Sequence, residues 1–356
     1  MKTGVTIGND ETPLKRRKIK GESVGDQELK HVVTPTPSLA ASDISESVIC
    51  TVNRNLFADT EGSFLSRSRA TPKRSEPKAK KKLIFGRLVD EINIQPNVRK
   101  VYGIIRKLTG SIGGNGSHGP IYGELTMSSM QKVVNLMKQH MNFNSNSKFI
   151  DVGSGIGKPN LHVCQDPGVK LSYGIEIEQA RWILGMTCLK GVLDAAVKEE
   201  KDIDEAYDDE IILHRCVFEC GDIRSANSFN PFTHVYMFSI GFPPSLWIHL
   251  AAMWNSSDSP YLICYHGPKD IIDSYEFDVV LIAQAPTSMH GSKEGHTVYL
   301  YRRTTHTGEE ITSCDPLFKN LDKRVDSGLH ALKDDITEQL QQCVDSGRAT
   351  RGKRFK

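Results

Sequence analysis

The stretch KFIDVGSGIGKPN (Lys148–Asn160) constrains this chain more than any other. An apolar run enters it, glycines stand at alternate positions (Gly153, Gly155 and Gly157), and a proline follows. Glycine reaches positive φ without the steric cost of a Cβ and leaves room for a ligand to approach the backbone. A buried strand that empties through such a turn into a helix offers free N–H groups at the helix N-terminus. The chain is therefore expected to carry a nucleotide-type turn at the carboxyl edge of a sheet.

The flanking periodicities say which sheet. Residues Thr126–Met141 place apolar side chains at helical spacing behind Thr126 or Ser128 as cap. After KFIDV come a short helix (Asn160–Cys164), a strand (Leu171–Ile177) and a long helix (Gln179–Val197). The acidic stretch Glu199–Glu210 reads as a solvated loop. Strands over Ile211–Phe218 and His234–Ile240, a helix over Ser245–Trp254 and a strand over Tyr261–Tyr265 follow. The last two alternating runs, EFDVVLIAQA and HTVYLYRR, are joined by turn residues and pair as an antiparallel hairpin. Alternating strands and helices predict a parallel sheet covered on both faces. Closed by an antiparallel edge, this is the α/β architecture of the class I fold: Rossmann-like, seven-stranded, and typical of S-adenosylmethionine-dependent methyltransferases.

Composition divides the chain. Residues 1–82 hold two aromatics, Phe57 and Phe64, and sixteen Lys and Arg against ten Asp and Glu. Such a segment cannot bury enough surface to offset chain entropy, so it reads as a disordered basic tail. Its clusters KRRKIK (Lys15–Lys20) and KRSEPKAKKK (Lys73–Lys82) suit nuclear import or phosphate contact. Residues 83–304 read as the folded domain with a helical lead-in, and 305–356 as a C-terminal helix and basic tail. In that helix Leu329, Leu332, Ile336 and Leu340 share a face. No apolar run approaches the ~20 residues of a membrane span, and no secretory h-region opens the chain. Eight cysteines without a Cys-x-x-Cys pair read as reduced thiols in an intracellular protein, with no metal site.

Three cofactor classes could use the glycine turn. A dinucleotide fingerprint needs G-x-G-x-x-G, but here the third glycine comes one residue early. A phosphate loop needs Gly-Lys-Ser/Thr, but Pro159 follows Lys158. S-adenosylmethionine remains, with Asp151 facing its ammonium or an adjacent water. Glu176 closes the second strand, where an acid can accept both ribose hydroxyls. Asp222 follows the third strand, where it can take the adenine amino group while Ile223 packs on the ring.

The motifs IYGEL (Ile121–Leu125), FIDVGSGIGK, YGIE, GDI and GSKEGHTVYLYRR stand here in one order. Together they resemble the non-SET histone-lysine methyltransferases named for disruption of telomeric silencing. By that resemblance Tyr122, Glu124 and Leu125 join Asp151, Gly153, Gly155, Lys158, Glu176, Asp222 and Ile223 as cofactor contacts. Two elements depart from the family. Phe238-Ser239-Ile240 stands where it has Asn-Asn-Phe, and Ser288-Met289-His290-Gly291 where it has Trp-Thr-Gly. Phe242 and Tyr299 are candidate walls of a lysine channel, with Ser239 as a polar contact near the amine.

The resemblance implies a nuclear histone-lysine N-methyltransferase acting on the globular core of histone H3 in nucleosomes, with DNA phosphates held by the basic tails. Two other readings stay open. One is a methyltransferase of a non-histone protein or small molecule; the other is a catalytically silent chromatin-binding module.

Overall fold

Seven strands form one sheet in the order β3-β2-β1-β4-β5-β7-β6. The computed structural model describes residues 92–110, 124–202, 214–290, 295–305 and 308–352, with side chains of 199–202 and 347–352 excepted. All of them belong to one compact unit, Ile44–Lys356. Tyr122, the basic clusters Lys15–Lys20 and Lys73–Lys82, and the final residues 353–356 lie outside the described residues.

In chain order the strands are β1 (Lys148–Val152), β2 (Leu171–Glu176), β3 (Cys216–Cys220), β4 (His234–Tyr236), β5 (Tyr261–Cys264), β6 (Val279–Ser288) and β7 (Gly295–Arg303). The helices are α1 (Pro96–Thr109), α2 (Met127–His140), α3 (Lys158–Gln165), α4 (Gln179–Asp202), α5 (Pro244–Asn255), α6 (Leu321–Asp326) and α7 (Leu329–Gly352). Strands β1 to β5 run parallel, while β7 pairs antiparallel with both β5 and β6. The order and the inserted antiparallel strand are those of the class I methyltransferase fold, as the alternation of elements predicts.

A sheet buried on both faces sorts its side chains with period two. Ile150, Val152, Val235, Leu262, Cys264 and Tyr301 enter one core, with Trp247, Leu250 and Trp254 of α5. Their neighbours Phe149, Tyr236, Ile263 and Leu300 enter the opposite core under α2. Along the rest of that face Cys216 and Phe218 pack with α1, α4 and α7. Leu329, Leu332 and Ile336 of α7 are buried there, and Lys333 pairs with Asp194 of α4 at 2.7 Å. The amphipathic face read in the sequence is thus an inner face of the domain. Helix α1 starts with Pro96 in its first turn and buries Val98, Val101 and Ile105.

Boundaries differ where tertiary pairing decides them. Strand β3 starts later than Ile211 and runs on to Cys220, because parallel pairing with β2 continues to Glu176↔Cys220. Strand β4 stops at Tyr236, since after Met237 the chain turns, and Phe242 N donates to Ser239 O at 3.1 Å. Helix α4 carries the first acidic residues to Asp202, and the remainder of that stretch, 203–210, lies outside the described residues. Thr126 caps α2, accepting from Ser129 N at 3.2 Å.

Two glycines separate the demands of shape from those of propensity. Gly157 has φ 78°, and a Cβ there would lie 2.0 Å from the Phe218 ring. Gly103, in the middle of α1, has open space around its Cβ position. Gly157→Ala is expected to lose about 2–4 kcal/mol from overpacking and left-handed strain. Gly103→Ala is expected to gain about 0.5–1 kcal/mol. Urea denaturation midpoints of the two variants check both signs.

Candidate active site

The glycine turn is tied to β2 by backbone and by one buried carboxylate. Gly153 N and Ser154 N both donate to Ile175 O, at 2.9 and 3.1 Å, and Gly157 N closes the turn on Ser154 O at 2.8 Å. All three glycines have positive φ, at 76°, 57° and 78°. Glu176 accepts from Gly155 N through Oε2 (2.8 Å) and from Glu178 N through Oε1 (2.9 Å), with Arg181 3.7 Å from Oε1. In this geometry its first task is to hold the turn.

A second segment crosses the same edge. Leu125 forms a bridge with Met289, and Thr126 N donates to Ser288 O at 3.0 Å. His290 N donates to Glu124 O at 2.7 Å, and Ser288 N donates to Ser129 Oγ at 2.8 Å. From its other side the Glu124 carboxylate forms a buried ion pair with Lys158, at the start of α3. The residues before α2 are therefore clamped between the hairpin and the glycine turn.

Between these two segments lies a cavity. Glu124, Leu125, Asp151, Gly153 and Lys158, five of the residues singled out in the sequence, line it together. The ring of Phe242 sits over Gly153, 3.5 Å from where a Cβ would stand. Burial, reinforced by the charge of Glu176, raises the carboxyl of Asp151 well above the usual carboxylate range. A glycine cradle beside inward-facing carboxylates can hold a ligand that carries hydroxyls and a positive charge.

Asp222 and Ile223 stand at the carboxyl end of β3, but do not line this cavity. Asp222 caps a short 3-10 turn and accepts from Arg224 N and from its guanidinium at 2.9 and 2.6 Å. These hydrogen bonds hold its carboxyl below the usual range. Ile223 is buried in the core. Ser239 is fully buried, with its Oγ accepting from Tyr265 N at 3.2 Å and lying 3.0 Å from His266 Nδ1. Tyr299 packs near Gly267 and stacks with Tyr301, whose hydroxyl donates to His266 O at 2.8 Å. Ser239 thus lies beside His266 and Tyr299 beside the neighbouring Gly267, while Phe242 reaches the glycine turn.

Sequence reasoning missed Tyr102, Tyr236 and Phe238, which also line the cavity, and His266 beside Ser239. The spacing of Val98, Val101 and Ile105 could have found α1, but nothing in it marks Tyr102 as a site residue. Among the described residues no group of three or more His, Cys, Asp or Glu could hold a metal ion, and no helix is long and apolar enough to cross a membrane.

The raised Asp151 fixes the sign of a stability test. A carboxyl whose folded pKa lies above its unfolded value penalises the fold once pH exceeds the unfolded value, and the penalty vanishes below it. Asp151→Asn is therefore expected to raise the denaturation midpoint at pH 7 and to leave it nearly unchanged near pH 3. A variant less stable than the parent at pH 7 would show the carboxylate to be satisfied in place.

Comparisons with known proteins place this arrangement. Residues 115–187 match the family model of the histone methylation protein DOT1. A comparison with curated protein sequences gives no significant match. Similar solved structures include a candidate RNA methyltransferase from Pyrococcus horikoshii, 15% identical over 58% of this chain and 98% of that one, with a TM-score of 0.38. Magnesium protoporphyrin IX methyltransferase from Synechocystis, with bound SAM, is 14% identical over 57% of this chain and 91% of that one (TM-score 0.35). TrmK of M. capricolum, in complex with S-adenosyl-homocysteine, is 9% identical over 51% and 70% (TM-score 0.34). Residues 115–187, which hold the clamped Glu124–Leu125 segment, the glycine turn and Glu176, are thus similar to the DOT1 histone methylation family and sit on a class I methyltransferase sheet.

Proposed function

We propose that this chain is a histone-lysine N-methyltransferase that uses S-adenosyl-L-methionine and acts on a lysine in the globular core of histone H3 within nucleosomes. The observation that carries the reading is the Glu124–Thr126 segment clamped over the glycine turn, inside the stretch that matches DOT1. The cavity residues fit the cofactor. Gly153 offers bare backbone beside the Phe242 ring, and Asp151 and Glu124 complement positive charge. When bound, the cofactor supplies a methyl group activated on a sulfonium sulfur.

The chain's own residues do the rest by alignment. Asp151, Glu124 and Lys158 take the amino-acid end, with Gly153, Gly155 and Leu125 forming the walls and Tyr122 assigned as a further cofactor contact by the family resemblance. Glu176 serves the ribose through the lone pairs that Gly155 N and Glu178 N leave free. Asp222 takes the adenine amino group once the exposed Arg224 side chain swings aside, with Ile223 beneath the ring. A lysine amine must arrive neutral, and in water its pKa is near 10.4. Phe242 and Tyr299 offer apolar surface that lowers it by desolvation. Ser239, braced by Tyr265 N and His266, supplies the polar contact on that side. Nuclear location and DNA contact are assigned to the basic clusters Lys15–Lys20 and Lys73–Lys82 and to the C-terminal basic residues.

Alignment by docking separates this function from its rivals. With radiolabelled cofactor, intact nucleosomes are expected to be methylated orders of magnitude faster than a free histone peptide, because docking supplies orientation a loose peptide lacks. Equal rates, or label confined to non-histone proteins of an extract, would assign the chain to another substrate. No transfer despite cofactor binding would leave a silent binding module.

Deleting residues 1–82 is expected to leave cofactor affinity unchanged while weakening nucleosome binding. The full chain's nucleosome affinity should fall steeply with added salt, as phosphate contacts do. Titrations of both chains at two salt concentrations check this.

A further inference from the structure

A buried chain of hydrogen bonds runs from the protein surface to the cavity, and its direction can be worked out from one end. Asp166 forms an ion pair with Lys138 and accepts from Gln131 Nε2 at 2.6 Å. A carboxylate can only accept, so Gln131 must turn its amide nitrogen toward Asp166. The second N–H of that nitrogen goes to Asn135 Oδ1 at 3.1 Å. Gln131 therefore presents its carbonyl to His162 Nε2, 3.0 Å away, and that ring nitrogen must donate.

His162 is fully buried, and desolvation lowers its pKa to about 4, so at neutral pH it carries a single ring proton. That proton sits on Nε2, which leaves Nδ1 bare. The hydroxyl of Tyr102, 3.2 Å from Nδ1, can then only donate to it. Having committed its proton, the phenol oxygen keeps lone pairs alone for any further contact. Burial and the charge of Glu124 raise the phenol pKa, so the group stays neutral. Tyr102 lines the cavity with Asp151, Glu124 and Lys158.

We infer that Tyr102 is a cofactor-binding residue whose oxygen accepts a hydrogen bond from the ammonium of the amino-acid end, its polarity set by Asp166 through Gln131 and His162. This rests on the cofactor reading above. Of the two cationic groups of S-adenosylmethionine, only the ammonium has N–H donors to offer a lone pair; the sulfonium has none.

Calorimetric binding of S-adenosylmethionine, S-adenosylhomocysteine and methylthioadenosine to the full chain and to Tyr102→Phe tests the assignment. The first two carry the ammonium and are each expected to lose on the order of tenfold in affinity. Methylthioadenosine lacks the amino-acid end and should bind both proteins alike, which also shows the pocket intact. Equal loss for all three, loss for S-adenosylmethionine alone, or no loss would overturn the proposal. A parent chain that binds none of them would overturn the cofactor reading itself. Should Tyr102→Phe not fold, the His162 tautomer read by nitrogen-15 NMR of the parent decides. A proton on Nε2 supports the relay direction, and a proton on Nδ1 overturns it.

Discussion

The carboxylate of Glu176 accepts amide protons from Gly155 and Glu178 and so ties the glycine turn to the end of β2. Much of the carboxyl edge depends on that clasp. The turn it fixes sets the cradle at Gly153 and the start of α3, from which Lys158 reaches Glu124. Room for the clasp comes from two further glycines. Gly157 and Gly174 both lie against the Phe218 ring, where a Cβ would clash at 2.0 and 2.6 Å. The same carboxylate adds to the burial that raises Asp151, so one group both shapes the site and sets its electrostatics.

Charge is concentrated here at a cost to the fold. Asp151 is buried beside a like charge, and Glu124 and Lys158 are desolvated together. A buried pair roughly breaks even against apolar packing, so such groups are weak evidence for stability. Their value lies in a cavity already polarised before a ligand arrives. The relay from Asp166 to Tyr102 extends that pre-organisation into α1, which packs against α3 and α4.

The hairpin matters because it reaches the site from the far end of the sheet. Insertion of β7 between β5 and β6 carries the Ser288–His290 end of β6 to the segment before α2, where it holds Leu125 and Thr126. At the opposite end of β7 the buried Arg303 donates to Ser259 O and Trp254 O, and its guanidinium lies 4.4 Å over the Trp254 ring. An antiparallel edge anchored at one end thus holds, at the other, the segment that lines the cavity.

Local chemistry and side-chain period are legible in the chain before it folds. Alternating residues in KFIDV and LSYGIE, helical spacing in TMSSMQKVVNLMKQHM, and glycines behind an acid were enough for the sheet, the turn and the cavity residues Asp151 and Gly153, because side-chain period and positive φ are properties of short stretches, whereas Glu124, Leu125 and Lys158 were legible only through the family resemblance. Which polar atoms are already spoken for emerges only in three dimensions. Ser239 is enclosed by Tyr265 and His266, Asp222 is taken up by its neighbour Arg224, and Glu176 spends its first hydrogen bonds on the turn. Folding also brings Tyr102, 60 residues from His162 in the chain, to the cavity through a relay that joins three helices. A hydrogen bond's direction depends on every acceptor along its path, and those meet only when the chain is folded.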